Sequence, residues 1–363
     1  MIALALLLLL IAPLDTAAQR TVRLDDRDAC RQCRIRLVLK VTIGDTIGEG
    51  IVDSQDYLWV RDAQGRYYHS GNEIGPQIRI FDAAGRFRGL LGRAGSGPGE
   101  YSYRSPMFVG AGDTLHVISS GNRAHNVYGP GRGLVRSWKI PAVARSMLEA
   151  PNGDLIYASL VRTPAAIGFP LHRFSRTGEY ISSFGPEDPY IEVRSMFGLR
   201  RLTADPSGSS FFSVHYARFT IDEFAWDGTV LNTITAEQSW FAPVSPTSGP
   251  NLPIDGSSPL PAVLVGGHVD RDGVLWLVAN IPDPNWRDAF FVHGTPGAHG
   301  MNPDRRYLYD SVLVAIDLES KRILKRARTD RLIAGFVAGD VISLEETGLG
   351  HPQVQVWSLS LVR

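Results

Sequence analysis

Lysine is scarce in this sequence, and arginine carries almost all of its positive charge. The lysines are confined to four positions: Lys40, Lys139, Lys321 and Lys325. The 37 basic residues are matched by 37 acidic residues, so the formal net charge is zero. Without an excess of positive charge, the sequence gives no electrostatic basis for binding nucleic acid or an anionic membrane. We therefore expect neither as a partner.

Long apolar runs are also scarce, and the one that stands out lies at the start of the sequence. Residues Ile2–Ala12 are apolar throughout, and Thr16–Ala18 offers small residues for cleavage. This run is too short to span a bilayer and has the organisation of a secretory signal peptide. We expect residues 1–18 to be a signal peptide and the protein to be exported to the periplasm or outside the cell. No later run predicts a membrane span.

Cysteine occurs only twice, as Cys30 and Cys33. In an exported protein this pair predicts a local disulfide. The next residue is Arg34, so the haem-attachment pattern is absent, and no second cysteine pair completes a zinc site. The strand-like run Ile35–Val41 follows, whereas a redox C-x-x-C motif needs a helix there. We therefore interpret residues 19–33 as an N-terminal segment that carries a structural disulfide.

Sustained helical periodicity is missing, and a repeated pattern of turns between short apolar runs takes its place. The clearest example is Gln77–Tyr101, in which Asp82–Gly85 joins two strand-like runs and a glycine-rich exit follows. A first kind of turn recurs at 62–65, 111–113, 152–154, 206–208, 270–273 and 338–340. A second kind recurs at 82–85, 131–133, 176–178, 227–228 and 317–320.

The spacing of these turns indicates a repeated unit of four strands. Glycines of paired first and second turns are 20, 21, 25 and 20 residues apart in the first four units. The runs next to the turns are rich in aromatic and β-branched residues, which favour strands. Six such units predict an all-β fold, a six-bladed β-propeller of four-stranded antiparallel blades formed by residues 34–363.

The sixth unit lacks a fourth strand at the end of the sequence. A strand-like run is available at the other end, Arg34–Val41, before the first complete unit. Pairing this run with the C-terminal strand would close the ring and remove two exposed sheet edges. We therefore predict that the N-terminal strand completes the last blade.

The motif D-x-x-G-R-F…G-R-x-G-x-G-P-G-E-Y, which runs from Asp82 to Tyr101, resembles exported bacterial six-bladed β-propellers related to NHL-repeat proteins. The run Asp270–Trp276 resembles the start of an NHL-type blade, and the C-x-x-C before a strand is similar to bacterial members. The resemblance covers essentially Cys30–Arg363 and implies architecture. Most members have no assigned reaction, and propellers host binding, scaffolding, hydrolase and lyase functions.

Both long insertions are predicted to lie on one face of the propeller. The segment Ala236–Val265 joins two blades, and Asn280–Arg306 joins the second and third strands of the fifth blade. We call this the loop-rich face, and binding sites are usually built from such loops. Trp286 and His293 in the second insertion are candidate ligand contacts; alternatively, the insertion packs its aromatic side chains against the neighbouring blade.

Arginine and histidine side chains are the other candidates on the loop-rich face. A set of arginines could hold a carboxylate, phosphate or sugar acid through charge-assisted hydrogen bonds; it comprises Arg123, Arg145, Arg162, Arg201, Arg218 and Arg331. Histidines near the connections between second and third strands could bind a metal, or they could be surface or core residues; they are His69, His125, His215, His293, His299 and His351. His268, placed at the start of an inner strand, is a further candidate.

The sequence predicts a binding module that recognises a ligand, an exported protein or a glycan through its loop-rich face, as a monomer without a cofactor. The candidate contacts are Arg123, Arg162, Arg201, Arg218, His268, Trp286 and His293. The alternative is a metal-dependent, lactonase-like hydrolase or lyase at the channel mouth, using Ca²⁺ or Zn²⁺. The sequence lacks G-x-S-x-G and H-E-x-x-H motifs, and its acidic residues cannot be matched individually to the metal ligands of lactonases. No reaction is assigned.

Overall fold

The described chain forms six blades around a central axis, each built on four antiparallel strands, and one of these sheets has a fifth, parallel strand. A computed structural model describes residues 20–44, 58–71, 77–102, 105–161, 168–192, 196–244, 259–292, 299–301, 306, 308–346 and 351–363. The predicted six-bladed β-propeller is thus confirmed. The predicted signal peptide, residues 1–18, lies outside the described residues. Within each blade we name the strands a to d from the axis outward.

The N-terminal segment and the first two blades contain the first twelve strands. The N-terminal strands are β1 (Arg20–Leu24) and β2 (Arg34–Ile43). Blade 1 comprises β3 (Leu58–Arg61), β4 (Tyr67–Ser70), β5 (Ile78–Phe81) and β6 (Phe87–Leu91). The short pair β7 (Arg93–Ala94) and β8 (Glu100–Tyr101) leads to blade 2. Blade 2 comprises β9 (Met107–Val109), β10 (Leu115–Ser119), β11 (Ala124–Tyr128) and β12 (Leu134–Lys139).

Blades 3 and 4 follow the same order. Blade 3 comprises β13 (Ala142–Glu149), β14 (Leu155–Val161), β15 (Leu171–Phe174) and β16 (Tyr180–Phe184). Blade 4 comprises β17 (Arg200–Ala204), β18 (Ser210–His215), β19 (Thr220–Ala225) and β20 (Val230–Ala236). The connection between them contains a short helix, α1 (Pro189–Glu192).

Blades 5 and 6 complete the ring. Blade 5 comprises β21 (Val263–Val269), β22 (Val274–Pro282), β25 (Tyr309–Asp317) and β26 (Arg322–Thr329), and its insertion carries the hairpin β23 (Phe290–Val292) and β24 (His299–Met301). Blade 6 comprises β27 (Leu332–Val337), β28 (Asp340–Glu346), β29 (Pro352–Val362) and, outermost, β2. Because β2 pairs antiparallel with β29, the predicted closure of the ring by the N-terminal strand is confirmed.

Several of the repeated turns fold as they do because an aspartate accepts hydrogen bonds from backbone N–H groups further along the turn. Asp62 Oδ1 accepts hydrogen bonds from the N–H groups of Gln64 and Arg66, at 3.0 and 2.8 Å. Gly65 takes φ +83°, a backbone conformation that glycine adopts without strain. Asp270 repeats this geometry and also accepts a 2.8 Å bond from the indole of Trp276. The Asp-x-x-Gly spacing is therefore a local turn signal that needs no distant partner.

The glycine-rich exit from blade 1 is a tight turn between blades. Glu100 accepts a 2.7 Å bond from the Gly97 N–H and a 2.6 Å bond from Arg93 Nε. A Cβ atom added at Gly92 would lie 2.3 Å from the ring of Tyr101. Glycine is therefore required there by close packing as well as by its φ of +73°.

The segment 20–43, which we call the N-terminal strap, runs along the outer edges of three blades. Its first strand, β1, pairs in parallel with β20 as a fifth strand of blade 4. The N–H groups of Ala29 and Cys30 then bond to carbonyls of β26 in blade 5, at 2.8 and 3.1 Å. The predicted disulfide between Cys30 and Cys33 is present, and β2 follows in blade 6. No strand was predicted within residues 19–33, and the structure adds β1 there.

The hydrophobic core is divided among the six interfaces between neighbouring blades. Each interface is filled by side chains that two adjacent sheets contribute. A buried salt bridge, which we call the interblade lock, connects blades 1 and 2: Arg132 Nη2 lies 2.5 Å from Asp62 Oδ2. The same arginine donates to Tyr68 Oη at 2.5 Å and to the Asp113 carbonyl at 2.9 Å. Burial raises the pKa of Asp62, but its hydrogen bonds from Arg132, Arg66 and Tyr68 outweigh this and hold it at about 2.

Candidate functional site

An axial cavity of about 580 Å³ is lined by the a strand of every blade. The lining segments are 58–61, 106–109, 145–149, 201–204, 265–268 and 334–338. Each a strand is the inner edge of its sheet, so backbone N–H and C=O groups contribute to the wall together with side chains. The volume lies within the range of small-molecule sites in proteins.

The two ends of the cavity differ in their side chains. Each a strand begins at the loop-rich face and ends at the face that carries the a–b and c–d turns, which we call the turn face. The lining residues nearest the loop-rich face are Leu58, Pro106, Arg145, Arg201, Val265 and Ala334. Those nearest the turn face are Arg61, Val109, Glu149, Ala204, His268 and Ala338.

Two arginines from neighbouring blades lie together at the loop-rich end. Arg201 Nη1 donates a 3.1 Å hydrogen bond to the carbonyl oxygen of Arg145. The N–H of Leu202 donates to Ser146 Oγ at 3.1 Å, which fixes β17 beside β13 at this level. The arginine pair is thus held by contacts between the strands that carry it.

Three of the a strands are bulged near this arginine pair. The register of β13 skips Arg145, that of β21 skips Val265 and that of β27 skips Ala334. A β-bulge leaves one residue out of the ladder and changes the direction of its side chain. All three bulged residues line the loop-rich end of the cavity.

The middle of the cavity is apolar and is bounded on one side by glycine. Apolar lining residues are contributed by several blades, namely Val60, Met107, Phe108, Leu148, Leu202 and Phe336. Blades 5 and 6 contribute Gly266, Gly267 and Gly335 to the wall. Glycine within a strand weakens it and often marks a place where another group approaches the backbone closely.

The turn-face end carries charges of both signs. Glu149 Oε2 accepts a 2.8 Å bond from the Ala111 N–H. Arg61 lies 3.8 Å from Asp340, and its guanidinium is 5.4 Å from the ring centroid of Tyr67. A second cavity, of about 490 Å³, also has Glu149 in its lining and extends between blades 2, 3 and 4.

His268 lies at the turn-face end, which corrects its predicted position. It is the penultimate residue of β21 rather than the start of an inner strand. Burial lowers its pKa, although the charges of Asp270 and Asp340 oppose this effect. His268 lines the axial cavity from the face opposite the insertions.

The remaining candidate arginines do not gather in one place. Arg201 lines the cavity, whereas Arg123 is exposed in the β10–β11 turn. Arg218 lies 3.6 Å from Asp188, with its guanidinium 5.1 Å from the ring centroid of Tyr190. Arg162 and His293 lie outside the described residues.

Arg218 borders a buried ionic network that sequence analysis did not find. Arg200 bridges two buried carboxylates, with Asp222 at 2.9 Å and Asp188 at 3.1 Å. His215 Nδ1 accepts from the Ala217 N–H at 3.0 Å, so Nε2 carries the proton and donates to Asp188 at 3.0 Å. Burial lowers the pKa of His215 to about 4. Burial raises the pKa of Asp188, but the bond from His215 and nearby positive charge hold it at about 2.

Histidines that were candidate metal ligands are instead packed inside blades. His69 stacks on Trp59 with ring centroids 4.3 Å apart, and His125 stacks on Trp138 at 4.2 Å. Both are fully buried, as is His215. These three side chains therefore do not meet at a channel mouth, and the core alternative is the correct one for them. Among the described residues, no group of three or more His, Cys, Asp or Glu side chains could hold a metal ion.

The buried His125 also belongs to a hydrogen-bonded chain across blades 2 and 3. Its Nδ1 lies 2.5 Å from Tyr157 Oη, and its Nε2 lies 3.0 Å from His116 Nδ1. His116 Nε2 reaches Thr114 Oγ1 at 3.2 Å, and that hydroxyl donates to the Ala111 carbonyl. Since Tyr157 has only its O–H to donate, one consistent direction of donation runs from Tyr157 to Thr114 with both imidazoles neutral. Burial lowers the pKa of His116 to about 4 and lowers that of His125 as well.

Trp286 anchors the base of the blade 5 insertion. Its side chain is 5% exposed, and it meets Phe290 edge to face with ring centroids 5.6 Å apart. Arg287 covers the indole at 4.5 Å. The neighbouring Ala289 joins the apolar cluster between blades 6 and 1. The alternative in which the insertion packs its own aromatic side chains therefore fits Trp286.

Comparison with known proteins identifies the fold. No protein-family model and no curated protein matches the chain. A candidate exported protein from Bacteroides fragilis is 12% identical, with a TM-score of 0.60 over 94% of this chain and 99% of that one. A member of the DUF4221 family from Bacteroides vulgatus is 9% identical, with a TM-score of 0.57 over 91% and 99%. At these identities, the likeness extends to the propeller architecture alone.

Within the described part of the chain, no helix has the length and apolar character needed to cross a membrane.

Proposed function

We propose that this protein is a binding module that takes a small ligand into the axial cavity from the loop-rich face. The observation that carries the proposal is the cavity itself, about 580 Å³ with an apolar middle and polar groups at both ends. A few placed polar groups around an apolar pocket are typical of ligand sites.

Local structure supports the loop-rich end as the site of recognition. The bulges at Arg145, Val265 and Ala334 disturb three ladders at one level of the cavity. Bulges are over-represented next to functional sites, where they redirect side chains. No residue is assigned a catalytic role.

We further propose that the protein acts outside the cytoplasm. The apolar run Ile2–Ala12 and the disulfide between Cys30 and Cys33 support this location. Disulfides persist in oxidising compartments and are rare in the cytosol.

Binding of the neutral fluorescent dye N-phenylnaphthylamine tests the cavity as a ligand site. We expect saturable one-site binding by the native protein and loss of that binding in Val265→Phe, because the larger side chain would occupy the cavity. Val135→Phe is the matched control, since Val135 is 70% exposed on β12. Equal binding by both variants, with circular dichroism showing both folded, would show that the dye does not use the cavity and would overturn the proposal.

A further inference from the structure

Positive charge is concentrated at the loop-rich end of the axial cavity. The charged lining residues are Arg61, Arg145, Arg201 and Glu149. Arg61 lies at the turn-face end, 3.8 Å from Asp340, which also pairs with Lys40 at 2.7 Å. Glu149 lies at that same end, because it closes the β13 strand on which Arg145 stands four positions earlier. Along β13 the cavity therefore runs from the arginine pair to a glutamate about 13 Å away, and Arg61 lies at the same end as that glutamate.

We propose that the ligand is an amphiphilic anion, with a carboxylate or phosphate head at Arg145 and Arg201 and an apolar body toward the turn face. This inference rests on the proposed function of the axial cavity. It adds the chemical class of the ligand and its direction of binding.

The arginine pair provides the recognition of the head. Guanidinium groups are planar, permanently charged and able to donate two parallel hydrogen bonds to a carboxylate or phosphate. Both residues line the cavity on inner strands of neighbouring blades, and the 3.1 Å bond from Arg201 to the Arg145 carbonyl keeps the Arg201 guanidinium beside Arg145, so one anion can be reached by both. Their positions are fixed by the contact between Leu202 and Ser146.

The wall below the arginine pair suits an apolar body. Leu148 and Leu202 follow the two arginines along β13 and β17 and also line the cavity. Phe336 faces them from blade 6, next to the glycines of blade 5: a Cβ added at Gly266 would lie 3.2 Å from its ring. An apolar chain buried against this wall gains roughly 25 cal/mol per Å² of apolar surface removed from water.

Glu149 gives the bound ligand its direction. An anionic head at the turn-face end would meet this carboxylate, whose Oε2 is held by the Ala111 N–H at 2.8 Å. Like charges at short range inside a protein repel more strongly than in water. Two arginines lie at the loop-rich end, whereas at the turn-face end Arg61 is accompanied by Glu149, so the head is favoured at the arginine pair.

Isothermal titration with three probes of equal chain length tests the inference. The probes are decanoate, decanol and decylammonium. We expect decanoate to bind at one site at least about tenfold more tightly than decanol, and decylammonium to bind most weakly, because only the carboxylate can accept charge-assisted hydrogen bonds from the arginine pair. Arg201→Met should weaken decanoate about tenfold or more and leave decanol unchanged. The control Arg123→Met, exposed on the same face, should change neither.

The outcomes separate this inference from the proposed function. Equal affinity for decanoate and decanol, or equal weakening of decanoate by Arg201→Met and Arg123→Met, would overturn the anion site while leaving a neutral-ligand cavity in place. Failure of all three probes and of N-phenylnaphthylamine would overturn both proposals. If Arg201→Met does not fold, the affinity of Arg145→Met for decanoate is compared with that of Arg123→Met instead.

Discussion

Lowering the pH from 7 to 5 should destabilise this protein through its buried histidines. His116, His172 and His215 are buried, and burial lowers the pKa of each from 6.5 to about 4. Between these values the unfolded chain binds protons that the folded protein does not, so stability is present above pH 6.5 and falls as the pH decreases. Asp62 and Asp188, with pKa values of about 2, lose their contributions below pH 4 and do not affect this range.

The magnitude follows from the proton difference. At pH 5 each of the three groups is almost fully protonated in the unfolded chain and mostly neutral in the folded one, which corresponds to a slope of about 1 kcal/mol per pH unit. Between pH 7 and pH 5 each group lowers the free energy of unfolding by about 2 kcal/mol, and the three together lower it by about 5–6 kcal/mol. That is a large part of the 5–15 kcal/mol by which domains are usually stable. His125 adds to the same trend.

Urea unfolding followed by tryptophan fluorescence at pH 7, 6 and 5 measures this slope. His172 provides the test of origin: its Nε2–H donates to the Ser159 carbonyl at 3.1 Å, and its Nδ1 accepts from Ser183 Oγ at 2.7 Å. Glutamine can form both bonds without titrating, so His172→Gln should lower the slope at pH 5 by about 1 kcal/mol per pH unit. If the slope of the unfolding free energy of the native protein at pH 5 corresponds to the uptake of less than one proton on unfolding, the reasoning is refuted.

Two further predictions concern the joints between blades. Arg132→Met should lower the free energy of unfolding by up to about 3 kcal/mol, because the buried carboxylate of Asp62 loses one of its two arginine partners and keeps Arg66 at 2.6 Å. Urea unfolding at pH 7 measures this, and the exposed Arg86→Met should cost less than about 0.5 kcal/mol; similar losses in both would contradict the interblade lock. Gly92→Ala should prevent stable folding or cost several kcal/mol, because its Cβ would overlap Tyr101, whereas Gly131→Ala has nothing within 4 Å and should be nearly neutral. Thermal unfolding compares the pair, and equal melting temperatures would show that the glycine turn tolerates a side chain.

The architecture could be predicted from the sequence because its signals are local. The Asp-x-x-Gly turns depend on a carboxylate that bonds to backbone groups two and four residues ahead, as at Asp62. The closure of the ring could be inferred because the sixth unit lacked a strand and β2 offered one. The turns can be recognised within a few residues of sequence, and the closure follows from counting the strands in each repeated unit.

The site could not be predicted to the same depth because its geometry depends on distant contacts. A bulge at Arg145 leaves no mark in the sequence of β13, so the pairing of Arg145 with Arg201 was hidden within a wider set of arginines. Histidines such as His125 were placed by their distance from loops, but strands inside a propeller are covered on both faces by neighbouring blades. Packing by the neighbouring blades decides whether such a histidine is buried. Neither the alternation of apolar and polar residues nor the spacing of the turns in the sequence indicates this packing.

The parallel strand β1 was missed for a related reason. Its partner, β20, lies more than 200 positions further along the chain, since Arg23 bonds to Glu237 at a separation of 214 residues. Nothing near residues 20–24 identifies blade 4 as the place where they pair. The course of the N-terminal strap along blade 4 therefore could not be predicted from the sequence and is seen only in the structure.

The N-terminal strap also sets the order in which this protein can be completed. Ser358 bonds to the Val38 carbonyl across 320 residues, so blade 6 cannot form until nearly the whole chain is present. Bringing such distant segments together carries a loop-closure cost that local hairpins do not have, and folds rich in non-local contacts form slowly. Blades 1 to 3 can each be assembled from continuous chain, whereas blades 4, 5 and 6 receive edge contacts from the start of the chain. We therefore expect the joining of the two ends to be a late step in folding.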